Sequence, residues 1–167
     1  MINVWRLIVH HSDPENMLKW SKNSSRLAIG WGLIGDIKDN RYILPQDIST
    51  AINKNMYYQD LHNAGHGGAS LYNFCYNVTI GDLVILSTGR KRSLVMEVEG
   101  GYEFNKTSEK PPIGDYYHQR KATVLPIDAD KLWQVAGGEP IAGHNIRWTF
   151  IKCQKPIDEA MKAALLE

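Results

Sequence analysis

The stretch Ala28-Ile29-Gly30-Trp31-Gly32-Leu33-Ile34-Gly35, followed by Asp36-Ile37-Lys38-Asp39-Asn40-Arg41, decides how this chain is read. Its glycines have the spacing of a dinucleotide-binding turn after a strand, and such a turn must open an apolar helix whose N-terminus faces a pyrophosphate. The segment after Gly35 is charged and lacks helical apolar spacing, and the Trp31 indole would crowd a place where backbone must approach phosphate closely. A doubly wound nucleotide fold is thereby excluded. The same residues then read as a short strand, Arg26 to Ile29, ending in a glycine-flanked indole. Such a ring serves either as a large core residue or as one wall of a slot for a planar ligand.

Working outward, Val4 to Val9 reads as a buried strand from its β-branched and aromatic content. Ser12-Asp13-Pro14-Glu15 starts a helix, with a cap at Ser12 or Asp13 and an early proline, and turns Met17, Leu18 and Trp20 to the core. Pro45 to Tyr58 has Ile48, Ala51, Ile52 and Met56 near helical period. Asn63 to Gly68 reads as a glycine-rich loop, and Ala69 to Val78 as a third helix with Leu71, Phe74, Cys75 and Val78 on one face. Strands Leu83 to Leu86 and Ser93 to Glu99 flank a hairpin tip at Ser87 to Arg92, turned by Gly89. Residues 105–115 read as a surface loop, Tyr116 to Leu125 and Asn145 to Lys152 as strands, and Pro156 onward as a short helix. Strands mixed with short helices, without regular βαβ units, predict an α/β (α+β) fold: a twisted β-barrel or half-barrel flanked by helices, as one domain over residues 1–167.

Composition narrows the function classes. Of the 167 residues 43% are apolar and 22% charged, as in a globular protein, and no apolar run approaches the roughly 18 residues of a membrane span. Nineteen basic against eighteen acidic side chains leave a net charge of +1, so attraction to phosphate alone cannot drive binding. Contact with nucleic acid must come from a local patch, such as Arg90-Lys91-Arg92 or Arg120-Lys121, together with a pocket. Cys75 and Cys153 form neither a zinc motif nor a disulfide framework; Cys75 reads as a small buried hydrophobe and the setting as reducing and cytoplasmic. His62 and His66 have one-turn spacing, but glycines surround them and no third ligand is near, so no metal and no cofactor is expected. His10-His11 lacks a partner for base catalysis and reads as closing a sheet edge. Tyr102 and Phe104, after Gly100-Gly101, either complete a cage opposite Trp31 or pack on the sheet rim.

Taken in order, Ala28 to Gly32, Val78-Thr79-Ile80-Gly81-Asp82-Leu83-Val84-Ile85, Val95 to Phe104 and Tyr117-His118-Gln119-Arg120-Lys121-Ala122 resemble the EVE-like branch of the PUA/ASCH/YTH superfamily. They look especially like the N-terminal reader domains attached to McrB-type modification-dependent restriction systems. The similarity spans about residues 4–125. The resemblance implies a pseudo-barrel and a pocket that takes a flipped base, often methylated, between aromatic walls. Trp31, with Gly30 and Gly32, falls where that family places its main pocket tryptophan, and Tyr102 and Phe104 where a second wall arises. His118 and Arg120 match a recurrent His-x-Arg strand that either braces the fold or meets the nucleic-acid backbone, and the Gly81-Asp82 turn matches a scaffold feature.

The expected function is therefore non-catalytic recognition of a modified base, with Arg90, Lys91, Arg92, His118, Arg120 and Lys121 toward the backbone. DNA is expected over RNA, with a nuclease or NTPase effector as partner and no membrane. The rival readings are a nucleoside- or RNA-directed enzyme using Lys22, Glu97 or His118, and a plain RNA-binding module.

Overall fold

Seven strands and five helices form one curled sheet with helices on both faces, as a computed structural model describes for residues 1–38, 41–58, 64–88, 91–107, 111, 114–138 and 149–167 (backbone only at 64–66). The strands are β1 (Val4–Ile8), β2 (Arg26–Ile29), β3 (Leu83–Thr88), β4 (Lys91–Val98), β5 (Glu103–Phe104), β6 (His118–Leu125) and β7 (Phe150–Lys152). The helices are α1 (Pro14–Ser24), α2 (Pro45–Lys54), α3 (Ala64–Tyr72), α4 (Ala129–Val135) and α5 (Glu159–Leu166). Six strands run in the order β2-β6-β4-β3-β1-β7, and β5 pairs with β6 beside that path. Only β1 and β3 are parallel; the other pairs are antiparallel.

The curl has a local cause. Past Val98 the amides of Glu99 and Gly100 both donate to the Lys121 carbonyl, at 2.9 and 3.2 Å, so two residues of one strand face one of its partner. Such a bulge bends and twists a strand. A Cβ on Gly100 would lie 3.1 Å from that of Lys121, so this crossing favours glycine. The chain then continues as β5, and β6 pairs with β4 over its second half and with β2 and β5 over its first.

Alternation along the strands gives the sheet two apolar faces. Trp5, Leu7, Val84, Leu86, Met96 and Val98 pack under α1, α2 and α3 with Leu27, Ile29, Ile48, Ile52, Leu71 and Phe74. Val4, Leu83, Ile85 and Val95 meet Leu132 of α4, Ala136 just past its end and Ile157 on the other side. The half-barrel and most expected elements are present. β2 has the expected bounds, and the hairpin tip at Gly89 and Arg90 lies outside the described residues.

Three expectations need correction. The stretch Ala64 to Gly68 is helical, because glycine there serves close packing rather than a turn. A Cβ on Gly67 would lie 2.9 Å from Ile52 Cδ1 and 3.0 Å from the Trp31 ring, and one on Gly68 would lie 2.0 Å from Ser49 Oγ. The two glycines let α3 cross α2 at short range. The third helix leaves α geometry after Tyr72 for a π turn over Asn73–Asn77, although Leu71, Phe74, Cys75 and Val78 are buried as expected. Met56, expected on the core face of the second helix, is 73% exposed, because α2 ends at Lys54.

α4 was not anticipated. It begins at Asp128, whose carboxylate accepts the amides of Asp130 and Lys131, a side-chain cap that its sequence signals. Asp82 is a scaffold residue, as expected. Its carboxylate accepts Trp5 Nε1 at 3.0 Å and the amides of Asn3 and Thr79, tying β1 to the turn before β3.

Candidate ligand cleft

β2 ends at Ile29, and the next residues form the floor of a cleft. Trp31 takes left-handed backbone angles, φ 62° and ψ 31°, before one 3-10 turn over Gly32–Ile34. A bulky residue in that region costs roughly 1–3 kcal/mol and persists only where its surroundings impose it. Here they do. His118 Nε2 donates to the Trp31 carbonyl at 3.1 Å, Gly67 leaves space for the indole, and Gly32 N donates to the Asp115 carbonyl at 3.0 Å. Gly32 is held to glycine, since a Cβ would lie 2.1 Å from that carbonyl and 2.5 Å from the Tyr117 ring.

His118 is fully buried and its ring orientation is determined by its partners. A carbonyl only accepts, so Nε2 carries the proton. Nδ1 therefore accepts the Tyr102 hydroxyl at 2.8 Å, and that hydroxyl in turn accepts the Ile37 amide at 3.0 Å. Burial pushes the imidazole down to about 4, so it is neutral at physiological pH.

The cleft has a volume of about 110 Å³ and is lined by His11, Gly30, Trp31, Tyr58, Asp115, Tyr116 and Thr149. Apart from Tyr58, which follows α2, these residues follow β1 and β2 or precede β6 and β7, so the curl of the sheet brings its margins together at this point. The volume lies below the roughly 300–1,000 Å³ of sites that enclose a drug-sized ligand, and suits a single ring with the rest of its molecule outside. Tyr116 lies over Gly30, where a Cβ would stand 3.5 Å from its ring, and His10 stacks on Tyr116 at 5.0 Å between centroids. His10 Nδ1 accepts the amides of Ser12 and Asp13, at 3.0 and 2.9 Å, which fixes that ring at the start of α1. Gln119, fully buried on β6, donates from Nε2 to the Tyr116 carbonyl at 3.2 Å.

Opposite, the Tyr58 hydroxyl accepts the Leu33 amide at 3.0 Å and donates to Asp115 Oδ2. Burial and the adjacent carboxylate push this phenol well above its ordinary range, so it stays protonated. Burial also lowers His10 and His11; Asp13 and Asp115 pull His10 back up, whereas His10 and Arg6 lower His11 further. Polar groups at the cleft edge are thus a carboxylate, a phenol, a neutral imidazole and the Thr149 hydroxyl.

The residues expected from sequence divide into several groups. Trp31 and Gly30 line the cleft, and Gly32 stands behind its wall. Trp31 is 7% exposed and packed in the core, and it also borders the cleft. Tyr102 and Phe104 are not among the lining residues; they surround His118, with ring centroids 5.8 and 5.3 Å from it. Tyr58 and Tyr116 provide the aromatic walls instead. Neither stood out in sequence, though Tyr116 precedes a strand that pairs with β2 and could have been placed beside Gly30 on that ground.

The expected backbone contacts also change. His118 is sealed in the interior, and Arg120 is 4% exposed. The Arg120 guanidinium donates to the carbonyls of Phe74 (2.7 Å), Cys75 (3.0 Å) and Gly100 (3.0 Å). It satisfies the carbonyls of the π turn and the bulge, and has no face left for a phosphate. Arg92 pairs with Asp130 at 2.6 Å and lies over the Trp133 ring. Lys91 and Lys121 are exposed, and Arg90 lies outside the described residues.

The residues weighed for catalysis do not converge. Lys22 is exposed in the last turn of α1, Glu97 on β4 pairs with Lys162 at 2.7 Å, and His118 is buried. His62 and the His66 side chain lie outside the described residues. Among the described residues no group of three His, Cys, Asp or Glu could hold a metal, and no helix is long and apolar enough to cross a membrane. Cys75 and Cys153 are buried, and neither forms a disulfide among the described residues.

Among curated proteins, none matches the chain. A family model described as Domain of unknown function (DUF8426) matches residues 5–130, spanning β1 through β6 and every lining residue of the cleft except Thr149. The chain belongs to that family.

Proposed function

We propose that this protein is a non-catalytic reader of a modified, methylated nucleic-acid base, taken out of its stack into the cleft between Trp31, Tyr58 and Tyr116. One observation carries the reading: three aromatic side chains surround a slot of about 110 Å³ at the meeting margins of a half-barrel. A methyl group adds no hydrogen bond, so its recognition requires a shaped apolar cage that excludes water. Stacking on aromatic rings contributes roughly 1–3 kcal/mol per base, comparable with the few kcal/mol needed to extract one. Exposed Lys91 and Lys121 are the described candidates for phosphate contact among the cations singled out in sequence. Lys91 lies at the strand end where Ser87 pairs with Ile8, close in the sheet to His10 and His11.

The order of motifs resembling EVE-like reader domains favours DNA over RNA. It also favours a role as the targeting part of a restriction or defence assembly, alongside a nuclease or NTPase. The scattered positions of Lys22, Glu97 and His118 argue against the enzyme reading. The test is fluorescence anisotropy with duplexes that differ only in one methylated base, using wild type and Tyr116→Ala. The wild type should prefer the methylated duplex and the variant should lose that preference while keeping its melting temperature within a few degrees. Equal wild-type affinity for methylated and plain duplex, and for single-stranded RNA, would sink the proposal.

A further inference from the structure

The cleft holds a charge that a purely apolar slot would lack. We infer that its preferred ligand is a base made positively charged by methylation of a ring nitrogen that otherwise carries no proton, and that Asp115 sets this preference. The inference rests on the reading of the cleft as a base pocket.

Three observations carry it. First, Trp31, Tyr58 and Tyr116 all border one small volume, and aromatic rings, through the negative π density of their faces, are the groups that recognise methylated cations. Second, the Asp115 carboxylate lines the same volume, and among the described residues the side chain that donates to it is the neutral hydroxyl of Tyr58. Among the described residues Asp115 makes no ion pair. Third, the imidazoles nearby do not act as a counter-cation to Asp115. His11 lies in the wall with Nε2 at 3.3 Å from Thr149 Oγ1, and His10 uses Nδ1 to accept two backbone amides, a geometry that a proton there would break. Arg6, the cation near His11, is buried on β1 and does not line the cleft.

A neutral methylated base would gain only apolar contact from its methyl, worth roughly fourfold in affinity. A delocalised cation in the same place would gain the ring faces and the carboxylate together, an advantage of about tenfold or more. N3-methylcytosine and N1-methyladenine have this chemistry, whereas 5-methylcytosine does not.

The experiment uses the full chain and single-stranded oligonucleotides of one sequence, so that differences in base pairing play no part. Each carries one central base: cytosine, 5-methylcytosine, N3-methylcytosine or N1-methyladenine. Binding is read by fluorescence anisotropy, with a trimethyllysine peptide as a further arm. The expected result is binding of the two cationic bases about tenfold or more tighter than of 5-methylcytosine. Asp115→Asn, whose amide oxygen still accepts the Tyr58 hydroxyl, should bring that ratio close to one, and the wild-type ratio stands as a test whatever the stability of the variant. Equal affinity for 5-methylcytosine and the cationic bases, both lost in Tyr116→Ala, would overturn the charge preference and leave the base pocket standing. No discrimination among the oligonucleotides would overturn both, as would capture of the trimethyllysine peptide in preference to every oligonucleotide.

Discussion

His118 makes a prediction whose size follows from its surroundings. The ring is fully buried, donates to the Trp31 carbonyl and accepts from Tyr102, so a second proton has no acceptor and would remove a bond. In the unfolded chain the imidazole takes its proton at its ordinary 6.5, and in the fold only at about 4. Between these values the unfolded state binds more protons, so stability is full above the unfolded value and falls as pH drops through that window. At about 1.4 kcal/mol per pH unit the gap is worth about 3 kcal/mol. His10 and His11 shift in the same direction and steepen the wild-type curve. His118→Gln isolates the term, because a Gln amide can donate to Trp31 and accept from Tyr102 but does not titrate. Urea unfolding of both proteins from pH 7 to pH 4 should show the wild type losing about 3 kcal/mol more than the variant. Parallel curves would refute both the assigned tautomer and the relay that holds Trp31 in its left-handed conformation.

Other outcomes follow from packing and charge. Gly68→Ala should cost about 1–3 kcal/mol in chemical denaturation, since its Cβ would strike Ser49 Oγ and the Pro45 carbonyl, whereas Gly101→Ala, with nothing within 4 Å, should leave stability near that of the wild type. Arg120→Lys should lower the melting temperature by loss of the three-carbonyl fork while leaving the salt dependence of oligonucleotide binding unchanged. Lys91→Ala and Lys121→Ala should do the reverse, each reducing the slope of log affinity against log salt by about one. The Cys75 thiol, buried and pushed far up by that burial, should resist alkylation in the native protein and react on unfolding, as followed by mass spectrometry.

Much of the fold is written in local patterns. Apolar runs mark β1, β2, β3 and β4, and Pro14 and Pro45 sit in the first turns of their helices. Glycine misled wherever its role was tertiary. Gly67 and Gly68 look like loop residues until α2 and the Trp31 ring are placed against them, and only the folded chain makes those contacts. The charges on β6 misled for a similar reason. A strand bearing His118, Arg120 and Lys121 looks like a basic patch, yet strand alternation buries the first two and exposes only the third. Trp31 was legible as a wall, but its partners were not. Tyr58, Asp115 and Tyr116 meet only when the sheet curls, and the bulge opposite Lys121 that curls it is signalled by nothing more than Gly100-Gly101.

The reader function is tested most directly by comparing one methylated duplex with its plain counterpart on wild type, Tyr116→Ala and Tyr58→Phe by fluorescence anisotropy. Recognition in this cleft predicts a wild-type preference for the methylated duplex. It predicts loss of that preference in Tyr116→Ala, with affinity for the methylated duplex falling by about one to two orders of magnitude, and a smaller loss in Tyr58→Phe, which keeps the ring but releases Asp115. A preference that survives removal of the Tyr116 ring in a folded protein would place recognition elsewhere and contradict the account.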